Sequence, residues 1–159
     1  MLFFRHITVI LQLVEVTKEL IRCFFLNIAV CFYNIAVSGT STAATVKNVN
    51  FVNGSGYAIT TNRINSITVD SCTVTNYGSG FFYANKATTN VTVKNVTVDG
   101  GYYGFHWVYG TAATLENVKM TNVTNGLYIQ NYADKTITLK NCEICSIGIW
   151  ERSGKSGVQ

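Results

Sequence analysis

Proline is absent from all 159 residues. Proline cannot donate to a strand ladder, so its absence suits a chain built from many paired strands. Charge is scarce: 13% of residues are Asp, Glu, Lys or Arg against 48% hydrophobic, which excludes an intrinsically disordered chain. The net charge is +4, but the basic residues are dispersed and no Lys/Arg run exists. The electrostatic footprint of a nucleic-acid binder is therefore missing, and no nucleic-acid partner is expected. The apolar stretch CFFLNIAVCFYNIAV (23–37) contains Asn27 and Asn34. It falls short of the roughly 20 apolar residues that a spanning helix needs.

What the chain does contain is a repeat of 22 to 24 residues, starting near residue 42. Its copies are ATVKNVNF (44–51), ITVDSCTV (67–74), VTVKNVTV (91–98), ATLENVKM (113–120) and ITLKNCEI (137–144). A fixed period of this size is the mark of a solenoid. Aligned, the copies place Asn48, Ser71, Asn95, Asn117 and Asn141 in one column. Two and four residues before it the columns are apolar: Val46, Val69, Val93, Leu115, Leu139, and Ala44, Ile67, Val91, Ala113, Ile137. That alternation is a strand with one buried face. After the Asn column the apolar positions slip to plus one (Val49, Cys72, Val96, Val118, Cys142) and plus three (Phe51, Val74, Val98, Met120, Ile144). A one-residue slip turns a strand over, so the chain must bend at this column in every repeat. Asn tolerates left-handed backbone angles, and stacked Asn side chains can bond from rung to rung. Ser71 is expected to be the weak member of that ladder. A second polar column follows five residues later: Asn53, Asn76, Gly100, Asn122 and Ser146.

Each repeat carries a third segment opened by glycine: GYAI (56–59), GFFY (80–83), GFHW (104–107), GLYI (126–129) and GIWE (148–151). Aligning those glycines turns Tyr57, Phe81, Phe105, Leu127 and Ile149 inward, followed by Ile59, Tyr83, Trp107 and Ile129. Each rung thus has three strands, one tight bend and two looser turns, and no helix-length segment intervenes. The expected fold is all-β: a coil of parallel strands of about five rungs over residues 42–152. Its outer face carries an all-threonine column (Thr45, Thr68, Thr92, Thr114, Thr138). Beside it, Lys47, Asp70, Lys94, Glu116 and Lys140 alternate in sign up the stack. Opposite charges on strands about 4.8 Å apart stabilise by roughly 0.2–1 kcal/mol per pair, so this column reads as structural.

The [IVA]-T-[VL]-[KDE]-[NS]-[VC]-x-[FVMI] unit, the Asn column and the glycine-opened aromatic strand together resemble the right-handed parallel β-helix of the pectin-lyase-like superfamily. The resemblance covers residues 42 to about 152 and implies the architecture. It does not single out one activity, because the same coil serves polysaccharide lyases, glycosidases, adhesins and non-catalytic surface proteins.

The ends differ from the coil. Residues 1–41 lack the repeat and are expected to be a cap or first rung, a signal or anchor, or translated non-native sequence. Residues 153–159 form a polar tail too short to cover the last rung, so the chain is read as a fragment of a longer coil or as one that pairs end to end. The five cysteines make no disulfide framework. Cys72 and Cys142 sit three rungs apart, about 14 Å, too far for a disulfide. Cys142 and Cys145 form a lone CxxC, too weak a signal for zinc, and no metal site is expected.

Function must then lie in the turns, in rungs outside this sequence, or in the outward stripe of the third strand. The glycine alignment puts Ala58, Phe82, His106, Tyr128 and Trp150 there, flanked by Tyr77, Tyr102, Tyr103, Tyr109 and Tyr132 in the turns. A line of exposed rings is not explained by folding alone. Rings of this kind stack on the apolar faces of sugars, so Phe82, His106, Tyr128 and Trp150 are the candidate carbohydrate contacts. The opposing reading is a stack of rings that merely pack on one another or are covered by the N-terminal segment. No catalytic residues emerge. Glycosidases need paired carboxylates, but Asp70 and Glu116 sit in the charge column, Asp99 and Asp134 lie in different turns, and His106 has no acid in its column. Four N-x-[ST] sequons, at Asn53, Asn90, Asn95 and Asn122, fall mostly in the polar columns. The leading expectation is a non-catalytic, secreted or cell-surface module, adhesin-like or polysaccharide-binding, with a polysaccharide or cell-surface glycan as partner and no cofactor. The alternative is a fragment of a polysaccharide lyase or glycoside hydrolase, in which case the resemblance implies Ca²⁺ for the lyase.

Overall fold

The computed structural model describes residues 9–12, 21–22, 34–39, 43–86, 88, 90–130 and 135–150. For 9–12, 21–22, Lys86, Ile147, Ile149 and Trp150 it describes the backbone alone. In chain order the strands are β1 (Val9–Gln12), β2 (Ile21–Arg22), β3 (Ile35–Ser38), β4 (Ala43–Lys47), β5 (Asn50–Val52), β6 (Tyr57–Asn62) and β7 (Ser66–Asp70). They continue with β8 (Thr73–Thr75), β9 (Gly80–Lys86), β10 (Asn90–Trp107), β11 (Ala112–Gln130), β12 (Thr136–Lys140), β13 (Glu143–Ile144) and β14 (Ile147–Trp150). Every pairing is parallel, and the described residues contain no helix.

The pairings sort into three faces of one solenoid of about four complete turns. The first stacks β2, β4, β7, the start of β10, the start of β11, and β12. A second stacks β5, β8, the middles of β10 and β11, and β13. The third stacks β1, β3, β6, β9, the ends of β10 and β11, and β14. Most of residues 1–41 and all of 151–159 lie outside the described residues, and with them most of the proposed cap, signal or anchor segment and the polar tail. Among the described residues no helix is long and apolar enough to cross a membrane.

The Asn column makes the bend between the first two faces. Asn48, Ser71, Asn95, Asn117 and Asn141 all adopt the left-handed region, with φ of 57, 55, 54, 53 and 49°. Left-handed backbone there turns two successive side chains outward and restores burial at the next residue: Lys47 and Asn48 are exposed while Val46 and Val49 are buried. The second polar column is as tight, not looser as the sequence suggested. Asn53, Asn76, Gly100 and Asn122 have φ of 59, 58, 82 and 53°. Bend residues also carry the backbone ladder round the corner: the Asn48 amide donates to the Asp70 carbonyl at 3.1 Å, and the Asn76 amide to that of Asp99 at 2.9 Å.

Side chains bond along both columns. Asn117 Nδ2 donates to Asn95 Oδ1 at 3.1 Å, Asn141 Nδ2 to Asn117 Oδ1 at 3.4 Å, and Asn76 Nδ2 to Asn53 Oδ1 at 2.8 Å. The gap at Ser71 is closed by its neighbour. Asp70 Oδ1 accepts from both Asn95 Nδ2 and Ser71 Oγ at 3.0 Å, while its Oδ2 meets Lys47 Nζ at 3.1 Å and Lys94 Nζ at 3.8 Å. Burial pushes the Asp70 carboxyl up, but the hydrogen bonds from Asn95, Lys47 and Ser71 and the Lys47 charge outweigh it, so its pKa falls below the ordinary value. Asp70 therefore belongs to the alternating charge column and to the amide ladder at once.

The interior is the set of inward columns. Val69, Val93 and Leu115 are fully buried, as are Phe51, Val74 and Val98 in the plus-three column. Leu139, the last of its column, is 40% exposed because no described strand stacks beyond it. Cys72 is a buried free thiol, raised above its usual pKa chiefly by burial, and Cys142 and Cys145 are free as well.

Two outcomes follow. Replacing Asn95 by Ala removes two ladder bonds and strains a left-handed position, costing about 1–2 kcal/mol in urea denaturation; Asn95→Gly recovers the backbone share. Asp70 is held ionised by the fold, so its contribution is present above the ordinary carboxylate range and is lost as pH falls through its lowered folded pKa. Acid-unfolding curves of Asp70→Asn and the parent chain should diverge at neutral pH and converge as pH falls below the ordinary carboxylate range.

Candidate aromatic face

The third strands present one outer column, and its register differs from the glycine alignment. Thr60 pairs with Tyr83, Tyr83 with His106, His106 with Tyr128, and Tyr128 with Gly148. The inward columns beside it are Ile59–Phe82–Phe105–Leu127 and Thr61–Ala84–Trp107–Ile129, and Leu127 and Ile129 pair through their backbones with Ile147 and Ile149. Phe82, expected among the outward contacts, is 0% exposed and stacks on Phe105 inside the coil at 5.1 Å with planes 7° apart. Ala58 is buried too, and Tyr77 packs edge-on against Phe51 in the core. Tyr57 and Tyr83, expected inside, stand on the outer face. His106 and Tyr128 are where the sequence put them. Trp150 pairs with Gln130, two positions past Tyr128, so its backbone lies beyond the Tyr128 column; its side chain, like Tyr132, lies outside the described residues.

The cause is variable turn length. The Ile59–Phe82–Phe105–Leu127–Ile147 column lies eleven residues after Asn48 and Ser71, ten after Asn95 and Asn117, and six after Asn141. Gly80 is consequently not the counterpart of Gly104. It pairs with Tyr57 and Tyr103, at φ +136° and tight against the Tyr103 backbone, where no side chain fits.

The corrected register collects five rings around one centre. His106 lies 4.5 Å from Tyr103, 4.8 Å from Tyr83, 5.1 Å from Tyr128 and 5.9 Å from Tyr57, centroid to centroid. Tyr57 is stacked on Tyr83 at 5.0 Å and parallel to Tyr103 at 6.4 Å. Contacts of this geometry contribute about 0.5–1.5 kcal/mol each beyond area burial. The Tyr57 hydroxyl is 2.7 Å from His106 Nδ1, and Nε2 is buried with no hydrogen-bond partner. With Tyr57 as donor, the imidazole proton sits on Nε2 among the tyrosine rings. Burial lowers the His106 pKa to about 4, since a second ring proton would bring a charge into a site without a carboxylate or carbonyl to receive it. Burial, with the neighbouring Tyr103 and Tyr83, raises the Tyr57 phenol well above its usual value, so it remains a neutral hydroxyl.

Polar groups edge the cluster. Tyr83 donates its hydroxyl to Asn85 Oδ1 at 3.2 Å, and Gln130 Nε2 reaches the Tyr128 hydroxyl at 3.5 Å. Tyr102 packs at right angles to Tyr103, 4.6 Å away, and is 51% exposed; Tyr109 is 48% exposed. The ring faces of Tyr57 are turned to its stack neighbours, whereas Tyr102 offers a free platform.

Acids are placed elsewhere. Asp70 is engaged in the first bend, and Asp99 Oδ1 accepts from Thr121 Oγ1 at 3.0 Å and Asn122 Nδ2 at 2.6 Å in the second. Among the described residues no group of three His, Cys, Asp or Glu side chains converges as a metal site would require. Of the sequon residues, Asn53, Asn95 and Asn122 engage their side chains in the ladders, while Asn90 opens β10 at the surface.

Parallel three-faced stacking with two Asn-rich bends defines a β-helix, and comparison with known families agrees. The family model described as the right-handed β-helix region matches residues 33–158, and the chain belongs to that family. No curated protein and no solved structure matches it.

The caged imidazole has a pH consequence. The unfolded chain binds a proton on His106 near pH 6.5, and the folded chain only near pH 4. Stability from this group is thus complete above about pH 6.5 and is lost as pH falls towards 4. Discounted for partial solvent contact, the loss is on the order of 1–2 kcal/mol. His106→Gln should flatten the melting temperature between about pH 6.5 and 4.5, and NMR titration of the imidazole checks the assignment directly.

Proposed function

We propose that this β-helix is a non-catalytic, secreted or cell-surface module, adhesin-like, that binds polysaccharide through its third-strand face. The observation that carries this reading is the Tyr57–Tyr83–Tyr103–His106–Tyr128 cluster at the surface of consecutive rungs, with Tyr102 packed edge-on against Tyr103 and half exposed. Stacking explains why Tyr57 and Tyr83 are aromatic. It does not explain why Tyr102 keeps a large ring half in water, where it adds little to the core. A ring platform beside phenol and amide groups suits a sugar, which presents an apolar C–H face and a rim of hydroxyls. A polysaccharide-degrading reading needs carboxylates that converge on a substrate; Asp70 and Asp99 are each held by ladder side chains instead.

Affinity electrophoresis of the full chain through gels containing soluble polysaccharides tests the reading. The chain should be retarded by at least one glycan, and Tyr102→Ala should weaken that retardation about tenfold, or 1.4 kcal/mol, with the chain still folded and only the small stability loss of one edge-on ring contact. Unretarded migration through every gel, or full binding by Tyr102→Ala, would refute it.

A further inference from the structure

We infer that the ligand of the tyrosine face is an uncharged glycan rather than a polyuronate or sulfated polymer; this rests on the glycan-binding reading above and narrows it. The argument is the distribution of charge. Lys47, Asp70, Lys94, Glu116 and Lys140 share the first face in strict alternation. Lys119 and Glu143 pair on the second at 2.6 Å, and Asp99 is bound in the second bend. Arg63 stands in the bend after β6, and Lys135 lies over the Trp107 ring just before β12. Lys86 closes β9 with its backbone alone described; among the described side chains, none on the outer column of the third strands bears a charge.

What that column and its margin do carry is neutral: the hydroxyls of Tyr83 and Tyr128, the amides of Asn85 and Gln130, and the Tyr102 ring. An acidic polymer binding here would lose hydration from its carboxylates and meet no cation among the described side chains of the outer column, a cost unpaired charges cannot recover. A neutral chain loses only hydroxyl hydration, which phenols and amides replace. His106 is the one titratable base of the cluster, and its depressed pKa keeps it uncharged across neutral pH, so it supplies no cation either.

The test compares hydroxyethylcellulose and galactomannan with polygalacturonate and alginate in affinity gels at pH 7. Each is run at low salt and at about 0.5 M NaCl, where screening shortens the Debye length to a few ångströms. Retardation by a neutral polymer is expected to exceed that by either uronan at least about tenfold and to change less than about twofold with salt. Tyr102→Ala should weaken it, and Tyr83→Phe, which keeps the ring and removes the hydroxyl, should weaken it with folding intact. Salt-sensitive preference for the uronans overturns the inference while leaving glycan binding standing. Neutral binding that both variants retain overturns it as well, by moving the site off this face. Free migration in all four gels removes glycan binding itself.

Discussion

Everything in this molecule hangs on a backbone conformation that most residues avoid. At each of the first bends a non-glycine residue sits near φ +50°, and it recurs in every rung. Such a position costs about 1–2 kcal/mol for an ordinary side chain. Asn reduces the cost by bonding locally, and stacking adds rung-to-rung bonds such as Asn117 to Asn95. The bend in turn sets which residues are inside. Two outward residues, Lys47 and Asn48, separate the inward Val46 from the inward Val49. Without the left-handed residue, one of the two strand segments would turn its apolar side to water.

The first two faces were legible in the sequence because the bend spaces them identically. From Ala44 to Phe51 and from Val91 to Val98 the apolar columns, the Asn column and the charge column keep one count, and every pairing from Lys47–Asp70 to Glu116–Lys140 falls in that register. The Ser71 position shows the limit of column reading. A lone serine looks like a broken ladder, but the bond passes through the preceding residue, Asp70, whose carboxylate reaches Asn95. Only geometry reveals that two columns share one carboxylate, the ladder through Oδ1 and the lysines through Oδ2.

The third face was not legible to the same degree, and the reason is steric. Nothing fixes the length of the turn after the second bend, so glycines recur at different offsets for different purposes. Gly80 makes room for the Tyr103 backbone, while Gly104 faces Met120 and the Gly126 carbonyl. Matching them by identity turned Phe82 outward and Tyr83 inward. Burial preference between two adjacent aromatic residues is weak in sequence; a phenol hydroxyl, which needs a partner such as Asn85, favours the surface over a dry core.

Stacking also decides where recognition can occur. A rung repeated every few ångströms has little freedom on its first two faces, since each outward residue there answers to the residue above and below it: lysine to aspartate, threonine to threonine, asparagine to asparagine. The third face escapes that discipline because its turns vary, and Tyr103, within β10 and paired with Gly80 and Asn125, completes a ring cluster that no single column contains. The cluster keeps His106 neutral by surrounding it with ring surface rather than with acids. Among the described side chains the outer column of that face is neutral and largely aromatic, so the proposed ligand would be held there by shape and hydroxyl pattern rather than by charge.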